Sequence, residues 1–181
     1  MKNLWTAMAC AAALCAVGTA QAGVLTFNDP GLIDIDNNTN VATYTESGFT
    51  LSGQAATFLP LDSALVGGFD GTPFSLKDLF GGAFSLLSLD YAFYDLGIAP
   101  GLLTVIGLGD GAPVEQVFDL SAPGSFSFGA EWAGLTEVTF AATSGFSLDN
   151  IHAVPEPGTL ALAALALTGL IVGARQRRVG D

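Results

Sequence analysis

The chain has little of what catalysis usually requires: two cysteines, one histidine and five lysines or arginines among 181 residues. Both cysteines, Cys10 and Cys15, lie in an apolar N-terminal stretch, so the remainder of the chain has no thiol. That remainder forms no disulfide and has no cysteine nucleophile or cysteine metal ligand. The lone histidine, His152, has no second histidine or thiol with which to build a zinc site or a catalytic triad.

Positive charge is almost missing from the middle of the chain. Between residues 23 and 153 Lys77 is the only lysine or arginine, whereas all but two of the 17 aspartates and glutamates lie there. The resulting net charge of about −14 repels nucleic acid and anionic membrane surfaces. We therefore exclude nucleic acid as a partner. Solubility outside the cell and cation binding both account for the acidic excess, and both interpretations stay open.

Motifs of catalysis are also absent from the sequence. No serine lies in a G-x-S-x-G elbow, and no glycine-rich phosphate loop opens a helix. Two carboxylates are sufficient for glycoside hydrolysis, but no acidic pair stands out by its sequence context. We predict no catalytic residues and expect that the protein is not an enzyme.

The N-terminus has the layout of a secretory signal peptide. Lys2 precedes an apolar stretch at 4–17, and Ala20-Gln21-Ala22 is a small-x-small cleavage site. We predict that residues 1–22 are a signal peptide and that signal peptidase cuts between Ala22 and Gly23. An uncleaved membrane anchor is the alternative, which the short apolar stretch disfavours.

The C-terminus combines a proline motif, an apolar run and a basic cluster. The motif is Val154-Pro155-Glu156-Pro157, the run covers 160–174, and the basic residues are Arg175, Arg177 and Arg178. Proline restricts the backbone to extended conformations, so we expect Glu156 to be exposed. About 15 helical residues rise roughly 22 Å, which spans a bilayer of ~30 Å if the arginines snorkel or the bilayer thins. We predict a transmembrane-like helix with a cytoplasmic C-terminus, rather than a buried helix of the domain.

This three-part tail resembles the PEP-CTERM sorting signal of exported bacterial proteins. The resemblance implies processing by an exosortase in a Gram-negative, exopolysaccharide-producing bacterium. It also implies a transient hold in the inner membrane, followed by a location at the cell surface or outside the cell. We divide the chain into a signal peptide at 1–22, a domain at 23–153 and a sorting tail at 154–181.

Apolar and polar residues alternate along the domain with the period of two that is typical of strands. Glycine-rich turns separate the short segments, and Gly109-Asp110-Gly111 marks a hairpin. We predict an all-β, antiparallel β-sandwich, with a helical turn possible only at 75–80. The expected strands are 24–27, 41–45, 49–51, 55–59, 87–94, 102–108, 114–120, 136–142 and one over 146–151.

The last predicted strand contains an irregularity at Asp149 and Asn150. Phe146 and Leu148 share one face, yet Ile151 falls on the opposite face, so the apolar phase slips between them. Such a slip predicts a β-bulge, which redirects side chains. The alternative for these two polar residues is that they satisfy backbone groups near the end of the domain.

The order of segments in the domain resembles the jelly-roll, galactose-binding-like sandwich of carbohydrate-binding modules. The segments are Thr26-Phe27, Tyr44 with Gly48-Phe49, Phe84-Ser85-Leu86-Leu87-Ser88-Leu89-Asp90 and Phe146-Ser147-Leu148-Asp149-Asn150-Ile151. The resemblance implies a structural Ca²⁺ held by Asp149 together with Asp29 or Glu46. The oxygen-rich segment at 34–40 departs from an EF-hand loop, because Thr39 occupies the glycine position. We interpret it as a surface loop.

Trp132 is the residue we would expect to stack on a sugar ring, since its turn-like surroundings favour display, although a core-edge position is the alternative. The function that the sequence favours is an exported surface or matrix protein that acts by interaction. Two alternatives stay open: a carbohydrate-binding module for extracellular polysaccharide, and a small polysaccharide-active enzyme.

Overall fold

The computed structural model describes residues 22–29, 33–55, 57–61, 63–68 and 71–156. The predicted C-terminal helix, the basic cluster and the signal peptide up to residue 21 lie outside these ranges. The described ranges contain no helix with the length and hydropathy that a membrane span requires.

The described residues form antiparallel strands and one short 3-10 turn, Ala130–Trp132. The strands are β1 (Gly23–Leu25), β2 (Ile33–Asp36), β3 (Val41–Glu46), β4 (Phe49–Gln54), β5 (Phe58–Leu61), β6 (Ala64–Gly67), β7 (Phe74–Asp78), β8 (Phe84–Phe93), β9 (Leu102–Gly109), β10 (Val114–Asp119), β11 (Gly124–Ser127), β12 (Leu135–Ala142) and β13 (Phe146–Pro155).

Hydrogen bonding divides these strands into two layers. The first runs β2-β3-β4-β7-β12-β9-β10. In the second, β13 pairs with β8 on one side and with β6 and β1 on the other, while β11 and β5 lie at the edges. A bridge between Leu135 and Phe84 connects the layers. The all-β, antiparallel prediction is therefore confirmed.

Aromatic side chains from the two layers meet in the core. Phe74 of β7 stacks on Phe146 of β13 with ring centroids 5.8 Å apart. At the edge of the core, the centroids of Tyr91 in β8 and Phe118 in β10 are 4.7 Å apart. Because each ring buries a large apolar area, these contacts hold the layers together in a domain that has no disulfide.

Most predicted strands are confirmed, and two predictions are wrong. The hairpin of β9 and β10 and the strand β12 lie where the alternation places them. Residues 75–80 form no helical turn: β7 buries Phe74, Leu76 and Asp78 in alternation, the period of a strand between β4 and β12. The strand expected at 55–59 begins at Phe58, because Thr57 N–H turns back to the Gln54 carbonyl.

We expect Phe74→Ala to destabilise the domain by about 3–5 kcal/mol, the usual cost of a large-to-small change in a packed core. Phe74 is 2% exposed and contacts three other phenylalanine rings. Denaturant unfolding measures the loss. Phe80→Ala is the matched control, since Phe80 is 88% exposed and its removal should change stability by no more than about 0.5 kcal/mol. Equal losses for the two variants would contradict this core.

Candidate functional site

The predicted bulge lies in β13. The register with β8 shifts between Asp149 and His152, and Asn150 has a φ of 46°. The shift allows Leu148 and Ile151 to be buried together although they are an odd number of residues apart. The bulge is confirmed, and it aims the Asn150 side chain across the sheet.

Asn150 joins two carboxylates on neighbouring strands. Its Nδ2 donates to Asp90 Oδ2 at 2.8 Å and to Asp149 Oδ2 at 3.3 Å. Its backbone N–H donates to Asp149 Oδ1 at 2.7 Å. Ser125 Oγ, on β11, donates to Asp90 Oδ1. Since Asp90 pairs with Asp149 in the β8–β13 register, backbone pairing sets the position of both acids.

The surroundings move the two carboxyl groups in opposite directions. Burial raises the pKa of Asp149, and the charges of Asp90 and Glu46 add to this against the opposing Asn150 N–H. The hydrogen bonds from Ser125 and Asn150 lower the pKa of Asp90, as does the charge of His152. The pair therefore has one carboxylate that is well stabilised and one that resists ionisation.

These acids line an open pocket of about 400 Å³. Ser125 and Ser147 supply hydroxyl groups to its wall, and Gly124 lies on β11 opposite Tyr91. A Cβ at Gly124 would lie 2.7 Å from the Tyr91 hydroxyl oxygen, so only glycine fits there without a shift. The pocket presents carboxylate acceptors beside the Ser147 hydroxyl, which can donate and accept, and the Ser125 hydroxyl, which can accept while it donates to Asp90. This arrangement is suited to a polyhydroxylated ligand.

Glu46, which the sequence predicts as a candidate calcium ligand, holds two segments of the chain together. Its Oε2 accepts hydrogen bonds from the N–H groups of Thr26 and Phe27 at 3.0 and 3.1 Å and from the Tyr44 hydroxyl at 3.1 Å. Its Oε1 accepts from Thr26 Oγ1 at 3.0 Å. These bonds attach the segment after β1 to β3. Burial, followed by the charge of Glu46, raises the pKa of Tyr44.

The calcium site at Asp149, Glu46 and Asp29 stays a prediction. The charge of Glu46 acts on Asp149, and that of Asp29 acts on Tyr44. Within the described ranges, no three acidic, histidine or cysteine side chains are grouped closely enough to hold a metal. A bound ion would also compete with the donors that Glu46 already accepts.

Trp132 does not display a ring for sugar stacking, and that expectation is corrected. The indole is 3% exposed and lies 4.4 Å, between ring centroids, from Phe128. The 3-10 turn around it turns Glu131 outward and the indole inward.

The segment at 34–40 is an exposed hairpin between β2 and β3, as interpreted from the sequence. Asp36 accepts the N–H of Asn38 at 2.8 Å and the hydroxyl of Thr39 at 2.9 Å. These local bonds stabilise the turn.

The start of the sorting motif is part of the sheet. Val154 and Pro155 belong to β13, where Pro155 pairs with Phe84 of β8. Glu156 is half-buried rather than exposed. Its Oε1 accepts the Gly134 N–H at 2.7 Å and the Ser85 hydroxyl at 3.0 Å, and its own N–H donates to the Ala83 carbonyl at 2.8 Å. The expectation of an exposed Glu156 is wrong because the extended backbone that proline favours also continues a β-strand. Pro157, Arg175, Arg177 and Arg178 lie outside the described residues.

Three partners of these sites were not predicted: Asp90, Ser125 and Gly134. Asp90 occupies an ordinary polar position in the alternation of β8, and Ser125 lies in a strand that was not expected. Only the pairing of distant strands brings them to Asp149 and Glu156, so no local signal indicated them.

Comparison with known proteins confirms the resemblance of the C-terminal residues to a sorting motif. Residues 153–178 match the PEP-CTERM protein-sorting motif. None of the curated proteins matches the chain.

Solved structures similar to the chain include a family 29 carbohydrate-binding module, with 14% identity, a TM-score of 0.49 and coverage of 75% of this chain and 88% of that one. A mutant of a family 29 module has 13% identity, the same TM-score of 0.49 and coverage of 75% and 91%. A family 11 module from Clostridium thermocellum, in complex with a β-1,3-1,4-mixed-linked tetrasaccharide, has 10% identity, a TM-score of 0.34 and coverage of 76% and 97%. Likenesses at this level say nothing about what this chain binds.

The opposite pKa shifts predict opposite effects of pH on stability. Asp149 has a raised pKa in the folded state, so its ionised form destabilises the fold at neutral pH. At pH values below 3.8, the ordinary pKa of aspartate, the group is protonated in both states and this destabilisation is gone. Asp149→Asn should therefore raise the melting temperature at neutral pH, and the gain should vanish in acid.

Asp90→Asn is the matched variant. Because the pKa of Asp90 is lowered in the folded state, the ionised carboxylate stabilises the fold at pH values above 3.8, the ordinary pKa of aspartate. This stability is lost as the pH falls through the lowered pKa of the folded state. This variant should melt earlier than the parent at neutral pH, with a deficit that shrinks in acid. Thermal unfolding across the pH range measures both variants. A loss of stability in Asp149→Asn at neutral pH would contradict the proposed electrostatics of the pair.

Proposed function

We propose that this protein is exported, processed at its tail by an exosortase, and active by interaction at the cell surface or in the extracellular matrix. The match of residues 153–178 to the PEP-CTERM protein-sorting motif carries the proposal. The signal-peptide pattern at 1–22 supports export, and the thiol-free, acidic composition of the domain suits a soluble extracellular protein. Its partners in processing are signal peptidase and the exosortase, and the tail holds it transiently in the inner membrane.

The geometry of the last strand supports separate roles for the domain and the tail. The domain continues into the motif without a linker, because β13 ends at Pro155 and Glu156 is bonded to Gly134 and Ser85. The tail therefore begins at a fixed point on a folded domain. In this proposal the domain is the cargo and the tail directs its sorting, with no catalytic step in the domain itself.

Mass spectrometry of the protein isolated from its own host tests the processing. We expect a mature N-terminus at Gly23 and a C-terminus that lacks the Arg175–Arg178 cluster. In a host strain without exosortase, the N-terminus should be unchanged while the tail remains intact. Intact termini at Met1 and Asp181 in the normal host would contradict the proposal.

A second candidate function is binding of extracellular polysaccharide in the Asp90–Asp149 pocket. The observation that favours it is the combination of two carboxylates and two serine hydroxyl groups around an open cavity of about 400 Å³. Carboxylates form strong, directional hydrogen bonds with sugar hydroxyl groups. In this proposal Asp90, Ser125, Ser147 and Asp149 replace the buried Trp132 as the residues that recognise the sugar.

Pull-down with the host's own exopolysaccharide tests this candidate. Asp149→Ala should weaken binding about tenfold or more, the usual effect of losing a hydrogen bond to a charged group. Asp34→Ala is the control, since Asp34 is an exposed acid on β2 outside the pocket. Equal binding by the parent and Asp149→Ala would remove the pocket from consideration. Cleavage of the polysaccharide, lost in Asp149→Ala, would favour the polysaccharide-active enzyme instead.

A further inference from the structure

The turn between β7 and β8 exposes two large apolar side chains. Leu79 is 47% exposed and Phe80 is 88% exposed. We call this pair the apolar tip. A turn of this kind is usually polar, so the exposure of both residues requires an explanation.

Hydrogen bonds to Asp78 fix the conformation of the turn. Asp78 Oδ1 accepts the N–H groups of Phe80 and Gly82 at 2.9 and 3.0 Å, and Asp78 is itself 7% exposed. Gly81 has a φ of 74°, which glycine adopts without strain, and its N–H bonds the Asp78 carbonyl at 3.1 Å. The fold of the turn therefore keeps Leu79 and Phe80 exposed.

The domain begins and ends beside this turn. Glu156 N–H bonds the Ala83 carbonyl, three positions after Phe80. Gly23, the first residue of β1, pairs with Ala153 near the end of β13. Both the entry and the exit of the chain therefore lie at one end of the sandwich, which we call the exit end.

The sequence attaches an apolar segment to the exit end on its C-terminal side. The run at 160–174 begins four positions after Glu156, and four extended residues span roughly 14 Å at most. When that run is held in a bilayer, the exit end lies close to the lipid headgroups.

The charge and size of the apolar tip favour a lipid surface as its binding partner. The stretch 79–89 contains no charged residue, so the apolar tip itself carries no charge into the interface. Two side chains are too few for a stable protein interface, which takes about 800 Å² from each partner. Gly81, Gly82 and Ala83 offer no polar side chain to a sugar. The negative charge of the domain disfavours anionic lipids, which leaves zwitterionic headgroups.

We infer that Leu79 and Phe80 insert into the headgroup region of the membrane while the tail holds the protein there. This second attachment fixes the orientation of the domain, with the exit end toward the lipid. The inference depends on the proposed membrane hold of the tail.

Tryptophan fluorescence of the full chain in phosphatidylcholine vesicles tests the inference. Phe80→Trp places a reporter at the apolar tip. Ile98→Trp is the matched control, since Ile98 is 51% exposed and follows the opposite end of β8, about 30 Å away. The emission of the parent, which contains Trp5 and the buried Trp132, is subtracted. Leu79→Trp is a second reporter if Phe80→Trp folds poorly.

We expect a spin-labelled lipid with its quencher near the headgroups to remove most of the added emission of Phe80→Trp and little of that of Ile98→Trp. Equal quenching of the two, or none at residue 80 in vesicle-bound protein, would overturn the inference and leave the tail's membrane hold intact. Failure of the full chain to associate with vesicles would contradict the proposed tail function and the inference together.

Discussion

The pairing of β13 with β8 is the constraint on which the rest of the structure depends. β13 is the centre of its layer, with β8 on one side and β6 and β1 on the other. Its buried side chains, among them Phe146 and Leu148, pack against the opposite layer. The same register places Asp149 beside Asp90 and Pro155 beside Phe84. One strand thus supplies the core, the pocket and the origin of the sorting tail.

The bulge at Asn150 reconciles two requirements on this strand. A regular strand would turn either Leu148 or Ile151 out of the core, because side chains alternate. The inserted residue, with its φ of 46°, restores burial of both and frees the Asn150 amide to bond the two aspartates. The cost of a left-handed backbone at a non-glycine residue is low for asparagine, whose short polar side chain tolerates it.

Periodicity along the chain was sufficient to predict the class of fold, the hairpin of β9 and β10 and the bulge. Each depends on residues that are close in sequence. The alternation at Leu148 and Ile151, for instance, is visible in the sequence alone. Contacts that form only through the pairing of distant strands could not be predicted from the sequence. Examples are Asp90 with Asn150 and Glu156 with Gly134. Trp132 was misjudged because display and burial leave the same local pattern, and the three-dimensional position of Phe128 decides between them.

The exit end and the pocket lie at different positions along β8. Phe84 lies at the exit end, where Glu156 leaves the domain, while Asp90 and Tyr91 line the pocket about 20 Å further along the strand. A protein attached at the exit end would keep the pocket away from its attachment and open to solvent. The acidic surface and the ion pair between Lys77 and Glu137 at 3.1 Å add little to stability, so the aromatic core carries the fold.

Residue-resolved amide hydrogen exchange of the full chain tests the central claim, that the sorting motif begins inside the sheet, most directly. The account predicts slow exchange along β13 that continues to the Glu156 amide, which bonds the Ala83 carbonyl. Exchange of Val154 and Glu156 at the rate of an unstructured peptide, while Leu148 stays protected, would contradict it.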